Sequence, residues 1–273
     1  MTWTTVRVRP GAHRDAALAA MFAGGAGGVQ EDGESLVTHI DESLDLQEFA
    51  AAIRRSAPDA VVETAPLVEV DWTEEWKRGV TAHRVGDLTV TPPWLSDGTD
   101  PLRTIVIEPQ MAFGTGEHAT TRGVLALLQS VLRPGDRVAD LGAGSAVLSI
   151  AAAKLGAARI AAIEVDPDAI GNAEANVDAN GVSNRVTVIL GDAAQLLPLV
   201  APVDLVLANI LSGIILELLP AITAALAPGG RAIFSGIMVG ERAAMLASLG
   251  AAGWRVTEEL EDDAWWSAAA VPV

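Results

Sequence analysis

From Thr104 onward, short apolar runs alternate with stretches of helical period, and no other feature restricts the possible folds as strongly. A strand covered on both faces reads as a near-continuous apolar run. A helix lying on a sheet instead repeats its apolar positions every three to four residues. Arg137–Leu141, Arg159–Glu164, Val186–Leu190, 205–208 and 231–235 read as strands, and helices between them are predicted to start near Ala146, Asp168, Ala193 and Gly213. This order predicts a parallel sheet with helices on both faces. Pro228-Gly229-Gly230 reads as a break ahead of the fifth strand. Residues 254–260 and 264–271 follow with no helix between them, which predicts an antiparallel hairpin and brings the sheet to seven strands.

The earlier residues carry a different pattern. Residues 1–65 read as a small α/β module, with strands at 3–8 and 35–40, helices at 15–22 and 46–55, and a last strand opening at Val61-Val62. Asp45 is placed to cap the second helix, with Glu48 three residues on. Residues 66–80 read as a linker, with a short helix over 71–78 that holds Trp72 and Trp76. Residues 81–273 form the larger domain, opening on a hairpin over 83–91 that Pro92-Pro93-Trp94 closes. The three tryptophans either pack one domain on another or mark a docking surface.

The first strand of the larger sheet runs into Asp140-Leu141-Gly142-Ala143-Gly144-Ser145-Ala146. Glycines at a strand-to-helix turn let a ligand approach the backbone. The second strand ends on Glu164, where a carboxylate can accept from both hydroxyls of a ribose. A dinucleotide fingerprint wants a third glycine at 147, and Val147 stands there, which favours S-adenosylmethionine over a nicotinamide dinucleotide. Asp192, after the third strand, either accepts from an adenine amino group or caps the next helix. Asp140 either meets the methionine amine or braces the loop. Gly114 and Gly116 make a second close-approach loop. Thr120 and Thr121 follow it at the start of a helix over 122–132, where hydroxyls cap or reach a ligand. Asn209 follows the fourth strand, beside the crevice where strand order reverses. It is placed to meet the acceptor of a transferred methyl or to cap the following helix. His118 reads as a loop brace more readily than as a general base.

Bulk properties narrow the classes. A net charge of −17 argues against general binding to nucleic-acid phosphates and suits a basic partner. The chain has no cysteine, and its four histidines show no metal-ligand spacing. No apolar run reaches the length of a membrane span, and residues 1–10 lack the apolar stretch of a signal peptide. A cytoplasmic location is the expectation.

Taken together, Ala112-Phe113-Gly114-Thr115-Gly116-x-His118-x-Thr120-Thr121, the 140–144 loop, Asn180-Gly181-Val182 and Ala208-Asn209-Ile210-Leu211 resemble the PrmA family, the methyltransferases of the eleventh large-subunit ribosomal protein. Pro228-Gly229-Gly230, Ser235-Gly236-Ile237 and Trp72-x-x-x-Trp76 carry the resemblance further, so that it spans essentially the whole chain. It implies a seven-stranded Rossmann-like class I methyltransferase sheet with a small ferredoxin-like N-terminal α/β domain that grips the ribosomal protein. It implies that Thr121, Gly142, Glu164 and Asn209 touch the cofactor. The expected cofactor set is Phe113, Thr120, Thr121, Asp140, Gly142, Gly144, Glu164, Asp192 and Asn209, with Asn209 also the catalytic residue. The expected partner is a basic ribosomal protein, its lysine side chains and N-terminal amine receiving methyl groups; neither nucleic acid nor membrane is expected as a partner, and the chain is expected to be a monomer. A methyltransferase of another protein, or a non-catalytic S-adenosylmethionine-binding module, is the alternative. The family pattern usually has glycine at Ala146, aspartate at Glu164 and proline at Ala119.

Overall fold

Val6 and Val8 alternate with Thr5 and Arg7 in β1 (Trp3–Arg9), so one face of this strand is buried. In the computed structural model, residues 3–41, 43–67, 80–109 and 116–273 are described. The chain divides into two units, Met1–Lys77 and Arg78–Val273. The first continues with α1 (Arg14–Ala23), β2 (Gln30–Asp32), β3 (Ser35–Asp41), α2 (Leu46–Ser56) and β4 (Val61–Pro66). The sheet order is β2-β3-β1-β4, with β1 antiparallel to both β3 and β4. That is the β-α-β-β-α-β ferredoxin-like arrangement. Leu36 and Ile40 join Val6 and Val8 against Met21, Phe49 and Ile53 of the two helices. Asp45 caps α2 by accepting from the backbone of Gln47 and Glu48 at 2.9 and 3.1 Å. Glu48 itself pairs with Arg55.

The second unit opens with β5 (His83–Val85) and β6 (Leu88–Thr91), the expected hairpin, to which β7 (Thr104–Val106) adds in parallel. There follow α3 (Ala119–Val131), β8 (Arg137–Leu141), α4 (Val147–Lys154), β9 (Arg159–Glu164), α5 (Pro167–Ala179), β10 (Val186–Leu190), α6 (Ala193–Val200) and β11 (Val203–Asn209). The chain closes with α7 (Ser212–Ala225), β12 (Leu226–Met238), α8 (Arg242–Ala251), β13 (Trp254–Asp262) and β14 (Trp265–Pro272). The seven strands run β10-β9-β8-β11-β12-β14-β13, and β14 alone runs opposite to the other six. Both faces are covered. Leu205 and Leu207 of β11 meet one core with Val124, Leu128 and Ile150, and Val206 and Ala208 meet the other with Ile215, Leu219 and Met245. Among the described residues no helix is long and apolar enough to cross a membrane.

Two expectations are corrected. Pro228-Gly229-Gly230 does not end an element: it lies within β12, where the pairing shifts from Val203↔Leu226 to Leu205↔Arg231 and the excess residues bulge out. The helix α8, absent from the sequence reading, lies between β12 and β13 and buries Met245 and Leu249. The linker helix expected over 71–78 falls outside the described residues.

Candidate active site

The order of strands reverses at β8, whose neighbours are β9 on one side and β11 on the other. Loops leaving the carboxyl ends of β8 and β11 diverge there and open a crevice. A cavity of about 410 Å³ fills it, lined by the start of α3, the glycine loop, Glu164, residues 209–211, Gly236 and Trp265.

The glycine loop needs its glycines. Gly142 has φ +73°, and a Cβ there would stand 2.6 Å from Ile210 Cγ2. Ala146 caps α4 in the left-handed region at φ 64°, which is where the family pattern carries glycine. Glu164 holds the loop: one carboxylate oxygen accepts from Gly144 N at 2.8 Å, and the other from Val165 N and Asp166 N at 2.8 and 2.9 Å. The carboxylate therefore stays at the cavity wall, with the three N–H groups aimed at it.

Two polar atoms on that wall have no partner. Thr121 Oγ1 and Asn209 Oδ1 are buried with no hydrogen bond among the described residues. Buried polar atoms are nearly always satisfied, so an orphan pair in one cavity is available to bond a ligand. Thr120 lines the same cavity, and its hydroxyl stands 2.7 Å from His118 Nδ1. His118 caps α3 by accepting from Thr120 N, and its ring stands edge-on to Trp265 at 5.0 Å.

The remaining candidates lie around this center. Asp192 caps α6, accepting from Ala194 N at 2.7 Å. It also lines a second cavity of about 390 Å³, which shares Gly142, Val165 and Ile210 with the first. Asp140 is fully buried behind the loop, outside the lining of either cavity, and accepts from Ser149 Oγ at 2.7 Å. Its other oxygen has no partner among the described residues, and burial above all raises its pKa from 3.8 to about 6. Phe113 lies outside the described residues. The sequence reading missed Trp265 and Gly236 as lining residues. Trp265 reaches the cavity only through the pairing of β12 with β14, where Met238 sits opposite it. Gly236, at φ +80°, lets β12 pass the backbone of Ile210, whose carbonyl oxygen would be 2.4 Å from a Cβ.

Comparison with known proteins decides the family. Residues 25–271 match the family described as "Ribosomal protein L11 methyltransferase (PrmA)". This chain belongs to that family. A relative of that name from Pelotomaculum thermopropionicum is 40% identical over 233 residues, covering 84% of this chain and 75% of its own length. The Thermus thermophilus protein of the same name is 40% identical over 196 residues, 71% of this chain and 75% of its own length. The crystal structure of a ribosomal protein L11 methylase from Lactobacillus delbrueckii subsp. bulgaricus superposes with a TM-score of 0.61 at 28% identity. It covers 71% of this chain and 99% of that one. Class I methyltransferase architecture is thus common to the family and to the sheet described above.

Proposed function

We propose that this chain methylates ribosomal protein L11, using S-adenosylmethionine, at lysine side chains and the N-terminal amine. The observation that carries the reading is the pair of orphan acceptor atoms, Thr121 Oγ1 and Asn209 Oδ1, in the cavity that Glu164 also lines. These residues fit the cofactor. Glu164 suits the ribose hydroxyls, and the glycine loop offers backbone at close range. Asp192 and Ala193 suit the adenine, in the adjoining cavity. When bound, S-adenosylmethionine supplies an electrophilic methyl group on a sulfonium.

The chain's own residues then have four tasks. Asn209 Oδ1 accepts an N–H of the substrate amine and so directs the nitrogen lone pair. The apolar wall of Val147, Leu148, Ile210 and Trp265 keeps water away and favours the neutral amine, which alone has that lone pair. Alignment of amine and methyl group supplies most of the acceleration. Transfer would break the sulfonium's S–CH3 bond as the N–C bond formed, leaving a neutral thioether, and the resulting ammonium would lose its proton to solvent. Every residue assigned to the cofactor comes from the second unit, which leaves Met1–Lys77 to hold the ribosomal protein.

Labelled methyl transfer to purified L11 tests the reading. The wild type is expected to label it, and Asn209→Ala to weaken cofactor binding by no more than about tenfold while turnover at saturating cofactor falls at least about a hundredfold. Cofactor binding with no labelling of L11 rejects the substrate assignment, and an unchanged rate in Asn209→Ala rejects the role of that residue.

A further inference from the structure

The motif Asn180-Gly181-Val182 has no part in the site described so far, yet its asparagine belongs to a ladder. Asn172 and Asn176 in α5, and Asn180 at its C-cap, recur every four residues and so share one stripe of its surface. Their amides act as a missing strand for the chain that leaves β7. Asn180 accepts from Val106 N at 2.9 Å and donates to Val106 O at 2.6 Å. Asn176 accepts from Glu108 N at 2.9 Å, and Asn172 donates to Glu108 O at 3.3 Å. Ile107 N, between them, faces the other way and donates to Thr91 O of β6. The period of two is that of a sheet edge.

Asn176 does one thing its neighbours do not. Its Nδ2 donates to Ser145 O, in the glycine loop, at 3.0 Å. Asn180 spends its remaining bond on Asn176 O, within α5. One buried amide, 1% exposed, therefore joins the glycine loop to the segment that leads on toward Gly116 and His118. A loop built from glycines has few side chains with which to fix itself, so its place depends on hydrogen bonds to its backbone. Glu164 supplies one at Gly144 N, and Asn176 supplies another at Ser145 O.

We infer that Asn176 is a positioning residue, setting the glycine loop at the place where it receives the cofactor. The inference rests on the reading that this cleft binds S-adenosylmethionine. Calorimetric titration of the full chain with S-adenosylmethionine and S-adenosylhomocysteine tests it, with Asn180→Ala as the comparator. Asn180→Ala loosens the same segment without touching the glycine loop, so it is expected to lower the melting temperature and leave Kd within about twofold. Asn176→Ala is expected to raise Kd about tenfold, with kcat at saturating cofactor within about threefold of wild type. Should Asn176→Ala fail to fold, Asn176→Asp keeps the acceptor for Glu108 N and loses the donor to Ser145 O, and the same rise is expected. A wild type that binds with both Asn176 variants binding as tightly overturns the inference alone, as does an equal rise in Asn180→Ala. A wild type that binds neither ligand overturns the cofactor reading and this inference with it.

Discussion

At the scale of single residues, Asp140 sets stability against pH. It lies one residue before the end of β8 in full burial, with one oxygen bonded to Ser149 and the other unpartnered among the described residues. Burial raises its pKa from 3.8 to about 6, so its charged form is disfavoured in the folded chain. Below pH 4 the group is neutral folded or unfolded and carries no penalty. Between 4 and 6 the folded chain keeps a proton that the unfolded chain releases, so stability falls as pH rises. Above 6 the full penalty applies, on the order of 3 kcal/mol at 1.36 kcal/mol per tenfold. Asn at this position has no charge to bury. The melting temperature of Asp140→Asn minus that of the wild type, taken without cofactor, is expected to widen by several degrees from pH 4.5 to 7.5. A difference that stays flat over that range rejects the argument. Asp140 also shows what a sequence makes legible. Its position behind the glycine loop follows from the strand ending there, as do those of Glu164 and Asn209. Trp265 could not be read the same way, because it comes near His118 through pairing between strands far apart in the chain.

At the scale of elements, the strands of the large sheet were legible because burial on both faces leaves a long apolar run with little ambiguity. The helix α8 was not, since four of its ten residues are alanine and only Met245 and Leu249 are buried. The Pro228-Gly229-Gly230 break was misplaced because a neighbouring strand can hold a bulge in register on both sides. A second irregularity of β12 has more bearing on the site. Its pairing with β14 shifts between Phe234 and Ile237, and Gly236 lies in that interval. There β12 passes the backbone of Ile210, one residue beyond Asn209, at a distance that no side chain tolerates. Gly236→Ala meets two obstacles: the positive φ, about 1–2 kcal/mol, and overpacking against backbone, about 1–3 kcal/mol. A fall in melting temperature of roughly 5–12 °C is expected, together with weaker cofactor binding as residues 209–211 shift. A melting temperature within a degree of wild type shows that the two strand ends can separate at no cost.

At the scale of the whole molecule, charge is the property that a contact inventory does not capture. The chain carries 35 acidic and 18 basic side chains, and many of the arginines are already paired with carboxylates, among them Arg231 with Asp136 and Arg242 with Glu259. The net charge of −17 therefore falls mostly on unpaired carboxylates facing solvent. A field of that sign draws a basic protein toward the surface before any specific contact forms, and it is screened over a Debye length of about 8 Å at 0.15 M salt. The proposed cofactor site should gain less from it, since the bonds proposed there lie inside the cleft. The two substrates are therefore expected to respond differently to salt. Raising ionic strength from about 0.02 to 0.3 M should lower kcat/KM for the protein substrate about tenfold or more, through the association rate. KM for S-adenosylmethionine should change by less than about twofold, as expected of a site held by buried bonds. Steady-state kinetics with each substrate varied in turn separate the two. Equal sensitivity of both would place the electrostatic effect in the fold itself, and insensitivity of both would mean that the acidic surface serves solubility alone.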